Sequence, residues 1–217
     1  MDLTLYKKVL GSNSVAQGYI KDTILHVNDS FSKSPSFRQV EINGEMIDAI
    51  VSQVKKSTEI EFLFRPQTKF DKGVYVSIGQ DIYLIKDFLP NEIYPKAKAE
   101  LCNSSLKWRS SAGDLLEYKC VVKSSSFDER TERQAFILHS ELIVLVQYND
   151  DTKTIKPTQR FIFGGHVYEV TTIDSVTDVY NDKGIVELIV KFASSSSTDD
   201  IDNQIPDDSG NSGWGEW

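Results

Sequence analysis

The residues that could bind a metal ion or act as nucleophiles are two cysteines and three histidines. Cys102 and Cys120 would supply thiolates, and His26, His139 and His166 would supply imidazole nitrogens, the ligand types that zinc prefers. No histidine has metal-ligand spacing with either cysteine. We therefore expect no metal site and two buried thiols that behave as small hydrophobic side chains. A disulfide between the two cysteines, which flank a predicted hairpin, stays open.

Paired carboxylates and catalytic loops are the next places where chemistry could reside. Asp150 and Asp151 are adjacent, but they follow an apolar run and are typical of a turn. His166 lies beside a two-glycine turn, which favours a surface histidine over a catalytic base. The chain has no glycine-rich dinucleotide motif, no Gly-Lys-Ser/Thr phosphate loop and no Gly-x-Ser-x-Gly elbow. We predict no catalytic residue, no cofactor and no enzymatic activity.

The charge of the chain is unevenly distributed. Asp and Glu total 32 against 24 Lys and Arg, which gives a formal net charge of −8. Six of the acids and none of the bases lie beyond Ser194, so the rest carries 26 acidic against 24 basic side chains. Proteins that grip nucleic-acid phosphates carry clustered Lys and Arg. The charge pattern therefore argues against nucleic-acid binding.

Composition favours a strand-rich globular protein. The chain has 217 residues, enough for one large domain or two small β modules. Its 11 Phe, 9 Tyr and 3 Trp accompany many Val and Ile, the residue types that are enriched in strands. No apolar run approaches the ~20 residues of a membrane span. The N-terminus lacks the basic-then-apolar order of a signal peptide, so we expect synthesis in the cytosol.

The first clear hairpin turns at Asn43-Gly44. This dipeptide accepts positive φ at both central positions of a tight two-residue turn. With that turn, Val40 lies opposite Ile47 across the two strands. The alternation of apolar and polar residues on both sides supports the prediction.

Two later segments, 73–85 and 158–170, align with each other without a gap. Each is typical of a strand, a glycine-containing two-residue turn and a second strand. The turns predict three pairs of cross-strand neighbours: Val76 and Tyr83, Phe161 and Tyr168, and Arg160 and Glu169. The similarity suggests two related β modules.

These patterns predict a mostly β core over residues 36–193. We expect two small barrel or sandwich-like modules built from hairpins, roughly 36–122 and 135–193. The most hydrophobic run, 142–146, is expected to form a central strand. Further strands are predicted at 59–64, 73–78, 106–109, 115–122, 167–177 and 185–192.

The two ends differ from this core. Residues 1–35 mix apolar positions with Gly11 and Gly18, and we predict an extended N-terminal arm with one or two short helices. Residues 194–217 change to Ser, Asp, Asn and Gly, which predicts a disordered acidic C-terminal tail. The tail contains Trp-Gly-Glu-Trp, either a docking peptide for a partner groove or a segment without a role.

Several short motifs occur in a fixed order between about residues 37 and 191. The more specific ones are Asn-x-x-Leu-Lys-Trp at 103–108 and the stretch from Asn-Asp-Asp-Thr at 149–152 to Phe-Gly-Gly-x-x-Tyr at 163–168. The others are Phe-x-x-Val-x-Ile-Asn-Gly at 37–44, Gly-Val-Tyr-Val at 73–76, Tyr-Leu-Ile at 83–85 and Gly-Asp-x-x-Glu-Tyr at 113–118. Together they resemble a family of minor structural proteins of tailed bacteriophages, especially those of Gram-positive hosts.

The resemblance implies a virion neck protein at the head–tail junction, such as a head-closure or adaptor protein. Proteins of this kind form a ring of identical copies between portal and tail, with DNA passing nearby without specific binding. The implied partners are other copies, portal or adaptor proteins and tail proteins, with no membrane. The implied localisation is the virion, assembled in the host cytoplasm.

Partner contacts are expected from the arm and the tail, because segments of this kind can order on assembly. The alternative function is a tail-associated β-barrel that recognises a peptide or carbohydrate, with Trp108, Tyr118 and Tyr148 as stacking residues. The predicted apolar contact residues of the connector are Tyr6, Leu10, Ile20, Trp214 and Trp217.

Overall fold

The computed structural model describes residues 15–53, 58–124 and 141–207. Within these ranges the chain is mostly β, with an α-helix, α1 (Val15–Phe31), and a 3₁₀ turn (Thr152–Thr154). This confirms the predicted fold class. The strands are β1 (Phe37–Ile42), β2 (Glu45–Gln53), β3 (Glu59–Phe64), β4 (Tyr75–Ile78), β5 (Asp81–Leu89), β6 (Lys96–Leu101), β7 (Ser104–Arg109), β8 (Leu115–Ser124), β9 (Glu141–Gln147), β10 (Arg160–Phe163), β11 (His166–Asp174), β12 (Val179–Tyr180) and β13 (Lys183–Phe192).

The first six strands form a closed antiparallel barrel in the order β1-β2-β3-β6-β5-β4. Closure comes from backbone pairing of β1 with β4, where Glu41 lies opposite Ser77 and Ile42 opposite Val76. Alternate residues of each strand point inward, as the period of a strand requires. The buried core includes Val40, Phe62, Phe64, Val76 and Ile85.

The remaining strands form a second sheet in the order β10-β11-β13-β9-β8-β7, with β12 paired to β13. Its end strands, β7 and β10, meet through an edge-to-face contact between Trp108 and Phe161, with ring centroids 6.1 Å apart. Both side chains are buried, so packing of aromatic rings brings the two ends of this sheet together. The hydrophobic run 142–146 lies in β9, between β8 and β13, which confirms the predicted central strand.

We call the second sheet the second barrel, because side-chain packing brings its two ends together although their backbones are not paired. The two barrels share one strand order. When β1 to β6 are matched in chain order with β7 to β11 and β13, the sequence of neighbouring strands is the same in both sheets. Gly73 donates its N–H to the carbonyl of Ile85, and the counterpart Thr158 donates to Val170, each at 2.8 Å. Both donors have positive φ, +83° and +68°. The second strand of each hairpin then carries a bulge directly after this point.

The predicted hairpin registers are all present. Val40 lies opposite Ile47, and the other predicted neighbours are likewise paired, Val76 with Tyr83, Phe161 with Tyr168 and Arg160 with Glu169. Tight glycine turns leave little freedom of register, which explains why local sequence was sufficient here.

Two predicted boundaries are corrected by the structure. The hairpin β7–β8 was placed with the first module, 36–122, but it pairs through β8 with β9, so the barrels divide between β6 and β7. The arm 1–35 was expected to hold short helices, whereas α1 has 17 residues and continues past Gly18. Pairing between distant strands and anchoring of a helix end are tertiary effects that outweigh local propensity.

Candidate functional site

The candidate functional surfaces lie on the outer faces of the two barrels. The first of these surfaces is an apolar contact that joins the barrels to each other. Tyr75 of β4 and Leu84 of β5 point away from the first barrel and pack on Val121, Leu145 and Ile185 of the second. Leu84 and the three residues of the second barrel are all buried. The contact therefore removes apolar surface from water on both sides and holds the barrels together.

Ion pairs surround this apolar contact. Glu100 of the first barrel is buried and accepts from Lys123 of the second at 2.6 Å and from Lys86 at 2.9 Å. Lys86 also reaches Glu59 at 3.1 Å. Burial by itself lowers the pKa of Lys86, but the hydrogen bonds to Glu100 and Glu59 outweigh it and leave that pKa above its ordinary value. The cluster keeps Lys86 charged and, through Lys123, links both barrels.

Two more ion pairs link the loops at the edge of the same interface. Lys72 pairs with Asp178, and Lys183 pairs with Asp71 at 2.7 Å. The Lys72–Asp178 pair borders a cleft of about 410 Å³ between the barrels, which is lined by lysines and acids in equal number. Charges that neutralise each other in pairs suit a structural contact between the barrels better than capture of a charged ligand.

The segment 194–207, called the strap from here on, connects the two end strands of the second sheet. On β10, Arg160 donates to both carboxylate oxygens of Asp199 at 2.7 and 3.0 Å, and the Asp199 side chain is 0% exposed. On β7, Lys107 Nζ donates to the backbone carbonyl of Asn203 at 3.2 Å. Since β7 and β10 are not paired through their backbones, the strap spans the seam between them.

The strap belongs to the tail that was predicted to be disordered, and it is instead ordered against the second barrel. Asp199 accepts hydrogen bonds from the backbone N–H groups of Ser196 and Asp207 at 2.6 and 2.9 Å. Burial by itself raises the pKa of Asp199, but these bonds and the guanidinium hold it below its ordinary value. The rest of the predicted tail, 208–217, lies outside the described residues.

Helix α1 is attached to the first barrel at its C-terminal end. Phe31 is buried, and the guanidinium of Arg65 lies 4.8 Å from the centre of its ring. Arg65 also donates to the Asp48 carboxylate at 2.7 Å, to the carbonyl of Asn28 at 3.1 Å and to the Ser32 hydroxyl at 3.0 Å. One planar cation thus joins the helix end to β2, a role that sequence reasoning missed because Arg65 has no local signature.

One of the five predicted partner-contact residues lies in the part of the chain that the structure describes. Tyr6, Leu10, Trp214 and Trp217 lie outside the described residues. Ile20 lies in α1 and is half-buried. On the same helix, Tyr19 and Leu25 are 64% and 59% exposed, so exposed apolar surface is present beside Ile20.

The cysteines considered as nucleophiles or metal ligands are shielded from solvent to different extents. Cys102 and Cys120 are free thiols, half-buried and buried respectively. Burial raises the pKa of both thiols, that of Cys102 to about 12. His166 is exposed beside Phe192, and His139 lies outside the described residues. Across the described ranges, no group of three or more His, Cys, Asp or Glu could hold a metal ion, and no helix is long and apolar enough to cross a membrane.

The three aromatic residues proposed for ligand stacking do not form a platform. Trp108 is 2% exposed, lies in the core of the second barrel and stacks on Tyr118 with ring centroids 5.6 Å apart. Tyr148 is half-buried beneath the ammonium of Lys153. A ligand could not reach Trp108 without opening the barrel.

The motif residues that carried the resemblance have structural roles. Asn103 donates to the carbonyl of Val122 and accepts from its N–H, at 2.9 and 2.8 Å, which is how a strand residue would pair. The side-chain oxygen of Asn149 accepts from the N–H groups of Asp151 and Thr152 and so fixes the loop that enters the 3₁₀ turn. Both motifs therefore shape strand ends and loops.

A family model described as the YomX C-terminal domain matches residues 104–191. YomX is a protein of a Bacillus phage region, and the match supports a phage protein. The matched range begins with the first residue of β7 and covers the second barrel almost to its end. No curated protein and no solved structure matches the chain.

Proposed function

We propose that this chain is a structural component of a phage virion and that it joins head to tail in the neck. The observation that carries the proposal is the phage-type second barrel fixed rigidly to a first barrel of the same topology. An apolar contact, a buried carboxylate shared by two lysines and two outer ion pairs set one orientation between them. A neck component has to keep its shape while it transmits force between head and tail.

In the proposed assembly, copies form a ring around the DNA channel and work through protein contacts without catalysis. The charge suits such a conduit: the body is nearly neutral and the excess acids lie mainly beyond Ser194, so the chain lacks the clustered positive charge that would retain DNA during ejection. Portal or adaptor proteins on one side and tail proteins on the other would be the remaining partners.

Deletion of the gene and reconstruction of whole particles would test this function. We expect full heads and free tails that fail to join in the deletion strain, with joining restored by the intact chain. Electron cryo-microscopy of normal particles should show a ring of this chain at the neck. Joined, infectious particles assembled without the chain would refute the proposal, and density at the tail tip would favour the alternative binding module.

A further inference from the structure

The strap packs on the outer face of the β10–β11 hairpin in the second barrel. The equivalent outer face in the first barrel, on the β4–β5 hairpin, is covered by the second barrel. Tyr75 and Leu84, cross-strand neighbours on the outside of the first barrel, make the contact with the second. Their counterparts in the aligned hairpins are Arg160 and Glu169, which are also cross-strand neighbours. The guanidinium of Arg160 is held by the strap.

The last strand of each barrel is followed by an equivalent backbone hydrogen bond. After β6, Cys102 donates its N–H to the carbonyl of Ile82 at 2.8 Å, and after β13, Ala193 donates to Val167 at 2.9 Å. Ile82 and Val167 are counterparts in the aligned hairpins. In each case the segment that follows then packs on the outer face of the preceding hairpin. At the first barrel this arrangement links one barrel to the next.

The face under the strap is a built site for an extended acidic segment. Arg160 provides a two-pronged donor for a carboxylate, and Lys107 provides a second positive charge on the far side of the seam. Ile162 and Val167 point to the same side as Arg160, away from the core of the barrel, and both are 2% exposed. A segment bound to this face must therefore supply a carboxylate for Arg160 and must cover the apolar side chains beside it. The strap supplies the carboxylate with Asp199.

We propose that, in the assembled protein, the strap of one copy occupies this face on the second barrel of the next copy. The inference rests on the proposed function, because it needs copies that lie side by side. A second copy carries an identical strap, so exchange preserves each contact of the single chain while tying neighbours together. The equivalent face of the first barrel already joins two barrels, and exchange extends that arrangement from one copy to the next.

A cross-linking experiment with two kinds of chain tests the exchange. Ser105 of β7 and Gln204 of the strap line the same cleft, and neither makes the Arg160 or Lys107 contacts to the strap. Chains with Ser105→Cys and differently tagged chains with Gln204→Cys would be co-expressed, purified and treated at neutral pH with a short bismaleimide. All chains also carry Cys102→Ser, because Cys102 lines the same cleft, and the Cys102→Ser parent controls for the buried Cys120. Pairing Gln204→Cys with Ser36→Cys, an exposed position before β1, controls for random collision.

The expected result is a gel shift from monomer to a covalent dimer that contains one chain of each kind, and no such shift in either control. Oligomers that give no mixed dimer, while the double variant Ser105→Cys/Gln204→Cys is linked only within one chain, would overturn the exchange and leave the ring intact. A chain that sediments as a monomer even when concentrated and is absent from particles would overturn both proposals. Sedimentation of the same samples therefore separates the two failures.

Discussion

Gly73 of the first barrel lies against Gly184 of the second so closely that a Cβ atom on Gly73 would fall 1.7 Å from the Gly184 carbonyl oxygen. Gly73 also has a φ of +83°, which side chains disfavour. The two backbones therefore approach at a distance that only glycine permits. The orientation of the barrels is therefore fixed sterically by this close approach, in addition to the apolar contact and the ion pairs.

Substitution of Gly73 by Ala should loosen the joint between the barrels. We expect a loss of about 3 kcal/mol or more in the free energy of unfolding, since a positive φ costs about 1–2 kcal/mol and overpacking about 1–3 kcal/mol. The matched control is Gly79→Ala, at a φ of +61° with nothing within 4 Å of the new Cβ, which should cost only the backbone part. Urea unfolding measures both. Equal losses in the two variants would show that the close approach is unimportant.

Local signals in the sequence determined the hairpins but not their grouping. The turns at Asn43-Gly44 and Gly164-Gly165 were enough to predict exact neighbours, because a two-residue turn leaves one register. The division between β6 and β7 could not be predicted in this way. The pairing of β8 with β9 spans residues 125–140, and no turn motif reports which sheet a hairpin joins.

The strap was missed for a related reason. Its Ser- and Asp-rich composition is typical of disorder, and the sequence predicted Glu169 as the cross-strand neighbour of Arg160. Arg160 and Glu169 are indeed neighbours, but the ion pair of Arg160 is with Asp199, which is distant in sequence. The pair of Arg160 with Asp199, the backbone hydrogen bonds to Asp199 and the contact of Lys107 with Asn203 order this segment, and composition does not report such contacts.

Arg65→Lys should detach the end of helix α1 without removing the positive charge. Arg65 uses three separate nitrogens for Asp48, Asn28 and Ser32, whereas the three donors of a lysine ammonium share one nitrogen and cannot span the same positions. We expect amide hydrogen exchange near the helix end to become roughly tenfold faster, which corresponds to about 1.4 kcal/mol. Arg38→Lys is the control, since Arg38 is exposed and donates to the nearby carbonyls of Pro35 and Phe37. Unchanged exchange in Arg65→Lys would disprove the anchoring role.

Glu100→Gln tests the carboxylate that Lys86 and Lys123 share. The neutral amide would leave two ammonium groups close together with one charge partner fewer, and we expect a loss of about 2–4 kcal/mol in unfolding free energy, reduced by the partial exposure of both lysines. Glu61→Gln is the matched control on the neighbouring strand, because its exposed partner Lys98 is 3.8 Å away. That change should cost less than about 1 kcal/mol. Thermal or urea unfolding of both variants measures these losses. An unchanged free energy of unfolding in Glu100→Gln would show that the cluster does not contribute to stability.

The attachment of the strap should weaken in acid, because the pKa of Asp199 is lower in the folded chain than in the unfolded one. A depressed carboxyl pKa contributes stability that is fully present above the unfolded value, about 3.9, and is lost as pH falls through the folded value. Limited proteolysis should therefore cut the strap slowly at pH 7 and progressively faster as the pH falls below about 3.9. Asp199→Asn should be cut quickly at both pH values, because the amide cannot pair with Arg160 as a charge and is expected to cost about 2–3 kcal/mol. Asp202→Asn, an exposed change in the same segment, should behave as the parent, and an Asp199→Asn strap that resists cleavage at pH 7 would refute the role of this ion pair.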